Sequence, residues 1–101
     1  MINTQNLNSR PRKLVTKIYI YCLFDRLDTF LGVYSSLQAV HRDALRFCNH
    51  GSTGVYMRRP EGLVPPSLKE LRNIFKGNCD VEVQYQSNKH MVKIYKTKLK
   101  E

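Results

Sequence analysis

Acidic residues are scarce in this chain. Eight Asp and Glu stand against seventeen Lys and Arg, a formal charge of +9 over 101 residues. The acids are also scattered. A metal-dependent nuclease needs carboxylates gathered at one place, and the nearest approach is Asp25 with Asp28 in a turn. Cysteine is rare too: Cys22, Cys48 and Cys79, with no Cys-x-x-Cys clip. An odd, widely spaced set argues against a disulfide framework and for a reducing compartment. Structural zinc wants four ligands, usually in paired clips. His41, Cys48, His50, Cys79 and Cys22 offer only one poor half, at Cys48-Asn49-His50. A cysteine nucleophile would need His41, His50 or His90 beside it. Cys22 and Cys48 fall on apolar faces, where a thiol is an inert small hydrophobe, which leaves Cys79 as the exposed one. Neither phosphate-cradling glycine loop, GxxxxGK-Ser/Thr or GxGxxG, occurs.

No apolar run approaches the ~20 residues that cross a bilayer. Met1-Ile2-Asn3-Thr4 is polar, with no basic-then-apolar signal segment. No repeat of solenoid length is present. The expectation is a protein that is not secreted: intracellular, in cytoplasm or nucleus, or in a virion assembled there. It is expected to be non-enzymatic, with no cofactor or metal.

What is present is positive charge on a chain of one-domain length. Such a surplus favours polyanions: nucleic acid, an anionic membrane surface or an acidic protein surface. Residues 1–13 end in Ser9-Arg10-Pro11-Arg12-Lys13, hold no acid, and read as a basic flexible arm. Residues 14–98 read as a single domain and 99–101 as a tail.

The domain is organised around Leu14 to Asn49. Leu14 to Phe24 is rich in β-branched and aromatic residues and predicts a strand. Ile18, Ile20, Cys22 and Phe24 share one face; Lys17, Tyr19, Tyr21 and Leu23 share the other. Both faces are largely apolar, which places the strand inside a sheet. Tyr19 and Tyr21 are candidates to stack on bases, as sheet-surface aromatics do in some RNA-binding folds. Asp25-Arg26-Leu27-Asp28 is a turn, and Thr29 to Tyr34 returns as a partner strand. Gly32 inside it marks a bulge or a close backbone approach. Ser35 and Gln38 have capping-box spacing for a first helix. Its buried stripe is Leu37, Val40, Ala44, Phe47 and Cys48, and Gly51 ends it. Arg42 and Arg46 lie one turn apart on the far side, placed to hold phosphates.

Val55 to Arg58 is a candidate third strand, with Arg58-Arg59 a small basic spot. Arg59 to Pro66, with three prolines and a glycine, reads as a loop. Ser67 with Glu70 opens a second helix whose stripe is Leu68, Leu71, Ile74 and Phe75. Lys69, Arg72 and Lys76 gather on one flank. The chain closes on a hairpin turning at Asn88-Lys89, in the register that pairs Tyr85 with Val92 and Val83 with Ile94. Four lysines from Lys93 to Lys100 read as protection of an edge strand.

The hairpin-to-helix pattern from Ile18 to Phe47, with Phe30-Leu31-Gly32-Val33-Tyr34-Ser35-Ser36 entering an Ala-containing helix, resembles short uncharacterised proteins of large double-stranded DNA viruses. It covers about a third of the chain. The resemblance implies a viral accessory or virion protein and carries over no site residue.

The predicted fold is α+β: four to five mostly antiparallel strands in one sheet, two helices on one face, order ββα(β)αββ. The predicted function is electrostatic binding of nucleic-acid phosphates by Arg10, Arg12, Lys13, Arg42, Arg46, Lys69, Arg72 and Lys76, with Tyr19 and Tyr21 stacking. The alternative is a protein-interaction or virion structural component using an open sheet face and basic arms, as a homo-oligomer or in a viral assembly. An enzyme without a signature is the third reading.

Overall fold

The computed structural model describes residues 18–100. Its elements run β1 (Tyr19–Asp25), β2 (Phe30–Tyr34), α1 (Leu37–Asn49), β3 (Tyr56–Arg59), β4 (Gly62–Val64), α2 (Leu68–Phe75), β5 (Glu82–Gln86) and β6 (Met91–Lys98). The fold is α+β. One open, antiparallel, six-stranded sheet has the order β2-β1-β6-β5-β3-β4.

Two expectations about the sheet need correction. The segment read as a Pro-rich loop contains β4, which pairs Met57 with Val64, Arg58 with Leu63 and Arg59 with Gly62. Its prolines flank the strand instead of occupying it. Pro60-Glu61 makes the turn, Pro65-Pro66 follow, and Gly62 takes a φ of 128° that other side chains resist. The Lys-rich last strand is not an edge. β6 lies between β1 and β5, and the edges are β2 and β4, so β6 lysines block no free edge. The basic arm assigned to 1–13, and the strand residues expected at 14–17, lie outside the described residues.

Local chemistry sets the connections. Asp25 Oδ1 accepts from the backbone N–H groups of Leu27 and Thr29, at 2.9 and 2.8 Å, and so shapes the β1–β2 turn. Asp28 there has φ +66°. The N-cap of α1 is Ser36, one residue later than the spacing suggested. Its hydroxyl accepts from the Ala39 N–H at 3.1 Å. Ser67 caps α2 as expected, accepting from the Glu70 N–H at 3.1 Å. The reciprocal half of that capping box is not made. The Glu70 carboxylate turns to Arg59 Nε instead, at 3.1 Å and at an angle too poor for a hydrogen bond. The β5–β6 register is the expected one. Phe47, expected in the buried stripe of α1, is 38% exposed, while Val40, Ala44 and Cys48 are buried.

Both helices feed one core. Val40, Ala44 and Cys48 of α1 and Leu71 and Phe75 of α2 are buried with Leu23, Met57, Val83, Tyr85, Val92 and Ile94 of the sheet. Strand alternation then gives each side chain its face. Tyr19, Tyr21 and Leu23 of β1, with Val92, Ile94, Lys96 and Lys98 of β6, point to the helix side. Cys22 and Phe24 of β1, Phe30 and Val33 of β2 and Tyr95 of β6 point to the other face.

Candidate nucleic-acid interface

Among the described residues, unpaired positive charge gathers on α2 and the end of β6. Helical spacing puts Lys69, Arg72 and Lys76 on one flank of α2, all exposed. Arg72 and Lys76 line a shallow recess with Lys96, Tyr21, Leu37, Asn73 and Phe75. Lys98 is the next residue of β6 on that face, paired with Tyr19 across the sheet. Among the described residues, none of Lys69, Arg72, Lys76, Lys96 and Lys98 joins an ion pair.

Lys96 does more than add charge. Its Nζ donates to the Phe75 carbonyl at 2.8 Å, satisfying the open C-terminal end of α2. The same ammonium lies 4.4 Å from the centre of the Tyr19 ring. Burial of its (CH2)4 stem and these two contacts hold it in one place. The chain enters and leaves the sheet here, with the Leu99 N–H donating to the Ile18 carbonyl at 2.8 Å.

The sequence-predicted residues do not form one cluster. Lys69, Arg72 and Lys76 lie together on α2. Arg42 is exposed on α1. Arg46 is tied to Asp43 at 2.7 Å and lines different surface hollows. The spot expected at Arg58-Arg59 is split, because successive strand residues face opposite ways and Arg59 is drawn to Glu70. Arg10, Arg12 and Lys13 lie outside the described residues. Tyr19 and Tyr21 are not on the open face. Tyr21 packs on Phe75 at 5.9 Å between ring centres, and burial raises its phenol pKa. The reason is that both faces of β1 are apolar, so alternation could not say which one the helices cover.

Lys96 and Lys98 were not among the sequence-predicted residues. The signal was present: they share the parity of the buried Val92 and Ile94, so they extend the helix-covered face beyond the core.

A second hollow, about 510 Å3, lies between α1, the β1–β2 hairpin and the β5–β6 turn. It is lined by Leu23, Leu31, Tyr34, Asp43, Arg46, Phe47, His50 and His90. Its polar groups largely serve one another. The Tyr34 hydroxyl donates to Asp43 Oδ2 at 2.8 Å, Arg46 holds the same carboxylate, and His90 Nε2 lies 3.0 Å from the His50 carbonyl. Burial and then the Asp43 bond push the Tyr34 phenol up to about 12. Among the described residues, no three His, Cys, Asp or Glu side chains gather as metal ligands. Cys48 is buried, which pushes its thiol up to about 11. None of the described helices is long and apolar enough to cross a membrane. No protein-family model, no curated protein and no solved structure matches the chain.

Proposed function

We propose that the protein binds nucleic acid through its phosphates, with the α2 flank and the end of β6 as the contact surface. The observation that carries this reading is the convergence of Arg72, Lys76 and Lys96 on one recess, extended by Lys69 and Lys98, with no ion pair among these five. Unpaired cations held on rigid elements release counterions on meeting a polyanion, which is the main sequence-independent source of affinity. Contacts of this kind position a protein and carry no base information.

The test is fluorescence anisotropy of labelled duplex DNA, duplex RNA and single strands at several salt concentrations. For duplex DNA, log K should fall linearly with log salt, by about 0.9 per phosphate contacted. Arg72→Gln with Lys76→Gln should flatten that slope by nearly two contacts, while Arg46→Gln leaves it unchanged. Absence of binding near physiological salt, or equal effects of the two sets, would sink the proposal.

A second reading, protein interaction through the open sheet face, is favoured by exposed apolar side chains there. Phe30 and Val33 are 56% and 54% exposed, and Phe24 packs edge-on against both Phe30 and Tyr95 at 5.6 Å. Pull-down of an acidic protein partner that Phe30→Ser abolishes, in the absence of nucleic-acid binding, would move the balance to this reading.

A further inference from the structure

The two edges of the sheet are built differently. β4 has only three residues and is bracketed by Pro60 and by Pro65-Pro66. Short edge strands and flanking prolines are ordinary ways to prevent edge-to-edge pairing. β2, the other edge, is neither so short nor flanked by proline, and its one irregularity is the bulge at Leu31. It runs Phe-Leu-Gly-Val-Tyr, with no charge and no proline. No charged side chain lies between Thr29 and Val40, the longest such run in the chain. Among the described residues, β2 pairs with β1 on one side only, and its outer row of backbone donors and acceptors meets no other strand there.

We infer that β2 is a homodimer interface, pairing antiparallel with β2 of a second copy about a two-fold axis. Charge selects both the occupant and the orientation. A molecule at +9 repels its copies over most of its surface, and β2 is the edge where two copies meet without opposing cations. The charges beyond its two ends differ. Past Phe30 lies the β1–β2 turn, where Asp25 and Asp28 offset Arg26, Lys93 holds Asp28 at 2.6 Å and Lys89 adds one cation beside it. Past Tyr34, through its partner Tyr21, lies the recess with Arg72, Lys76 and Lys96. Antiparallel pairing sets the near-neutral turn of one copy beside the basic end of the other. Parallel pairing would set the two basic ends together. A two-fold contact is self-complementary and closes on itself, so it ends at two copies. It also brings Phe30 and Val33 of both copies into one apolar stripe on the open face. This inference uses none of the cations assigned to phosphate binding as contacts and stands if that reading fails.

The test is sedimentation velocity on the full chain, without nucleic acid, from micromolar to near-millimolar concentration. The expected result is a reversible monomer–dimer equilibrium. Val33→Lys and Phe30→Lys, at exposed positions, should each weaken it at least tenfold by placing like charges at the axis. Leu63→Lys, at the equivalent exposed position of β4, should leave it unchanged. Far-UV circular dichroism shows whether each variant is folded. A measurement on the unmodified chain separates edge pairing from stacking of the open faces: amide hydrogen exchange across Phe30 to Tyr34 should slow as concentration rises. A monomer at every concentration overturns the inference. So does a dimer whose β2 amides exchange no more slowly, or one that Leu63→Lys disrupts as much as Val33→Lys.

Discussion

His41 Nδ1 of α1 lies 2.6 Å from the hydroxyl of Tyr85 on β5. Tyr85 is fully buried, and burial raises its phenol pKa, so the hydroxyl keeps its proton; which of the two groups donates follows the imidazole tautomer. The bond ties the first helix to the centre of the sheet, and the two rings meet edge-on at 5.6 Å. Tyr85→Phe keeps the packing and leaves Nδ1 without this partner. The expected loss is about 1–3 kcal/mol of unfolding free energy, the range for orphaning a sheltered polar group. Urea denaturation of the two proteins measures it; equal midpoints would show that the bond contributes nothing.

The same pair makes stability depend on pH. Burial lowers the His41 pKa below the ordinary 6.5. The unfolded chain then takes up a proton at a higher pH than the folded one. The contribution is therefore complete above the unfolded value and is lost as pH falls from there towards the depressed folded value. Denaturation midpoints should drop as the pH falls below the ordinary 6.5, and more steeply than in His41→Gln, which has no proton to gain. Parallel pH profiles for the two proteins would assign the dependence to other groups.

Gly32 is required by the tyrosine two residues on. A Cβ at Gly32 would meet the Tyr34 hydroxyl oxygen at 2.8 Å and its ring at 3.1 Å. The ring is not free to withdraw, because its hydroxyl is bonded to Asp43 at 2.8 Å. Gly32→Ala should cost about 1–3 kcal/mol, as overpacking does. In a Tyr34→Ala background the same change should cost much less, since the clash partner is gone. Additive effects in that double-mutant cycle would contradict the contact.

The glycine was legible in part. A lone glycine inside a strand pattern announced a bulge or a close backbone approach; the bulge is present, with Leu31 the extra residue where the β1–β2 register shifts, but what covers Gly32 is the Tyr34 side chain. The partner Asp43 was not legible, because it comes from α1 and only packing brings it near. The candidate interface divides in the same way. Lys69, Arg72 and Lys76 share a helix flank by spacing alone. Their neighbours Lys96 and Lys98 reach them only through the strand order, which places β6 beside β1 and sets its end by the last turn of α2.

Sequence by itself determined what depends on near neighbours: the alternation of Val83 and Tyr85 against Val92 and Ile94, the serine cap of α2, the glycine that ends α1, and the surplus of positive charge. These follow from backbone geometry over a few residues. Tertiary structure decided which face of β1 the helices cover, that β6 is interior, that Gly62–Val64 is a strand, and which cations remain unpaired. Gly62–Val64 is a local hairpin with β3 that its flanking prolines obscured; the others turn on packing, strand pairing or ion pairs between segments further apart, and a local pattern that suits two faces or two neighbours equally well cannot choose between them.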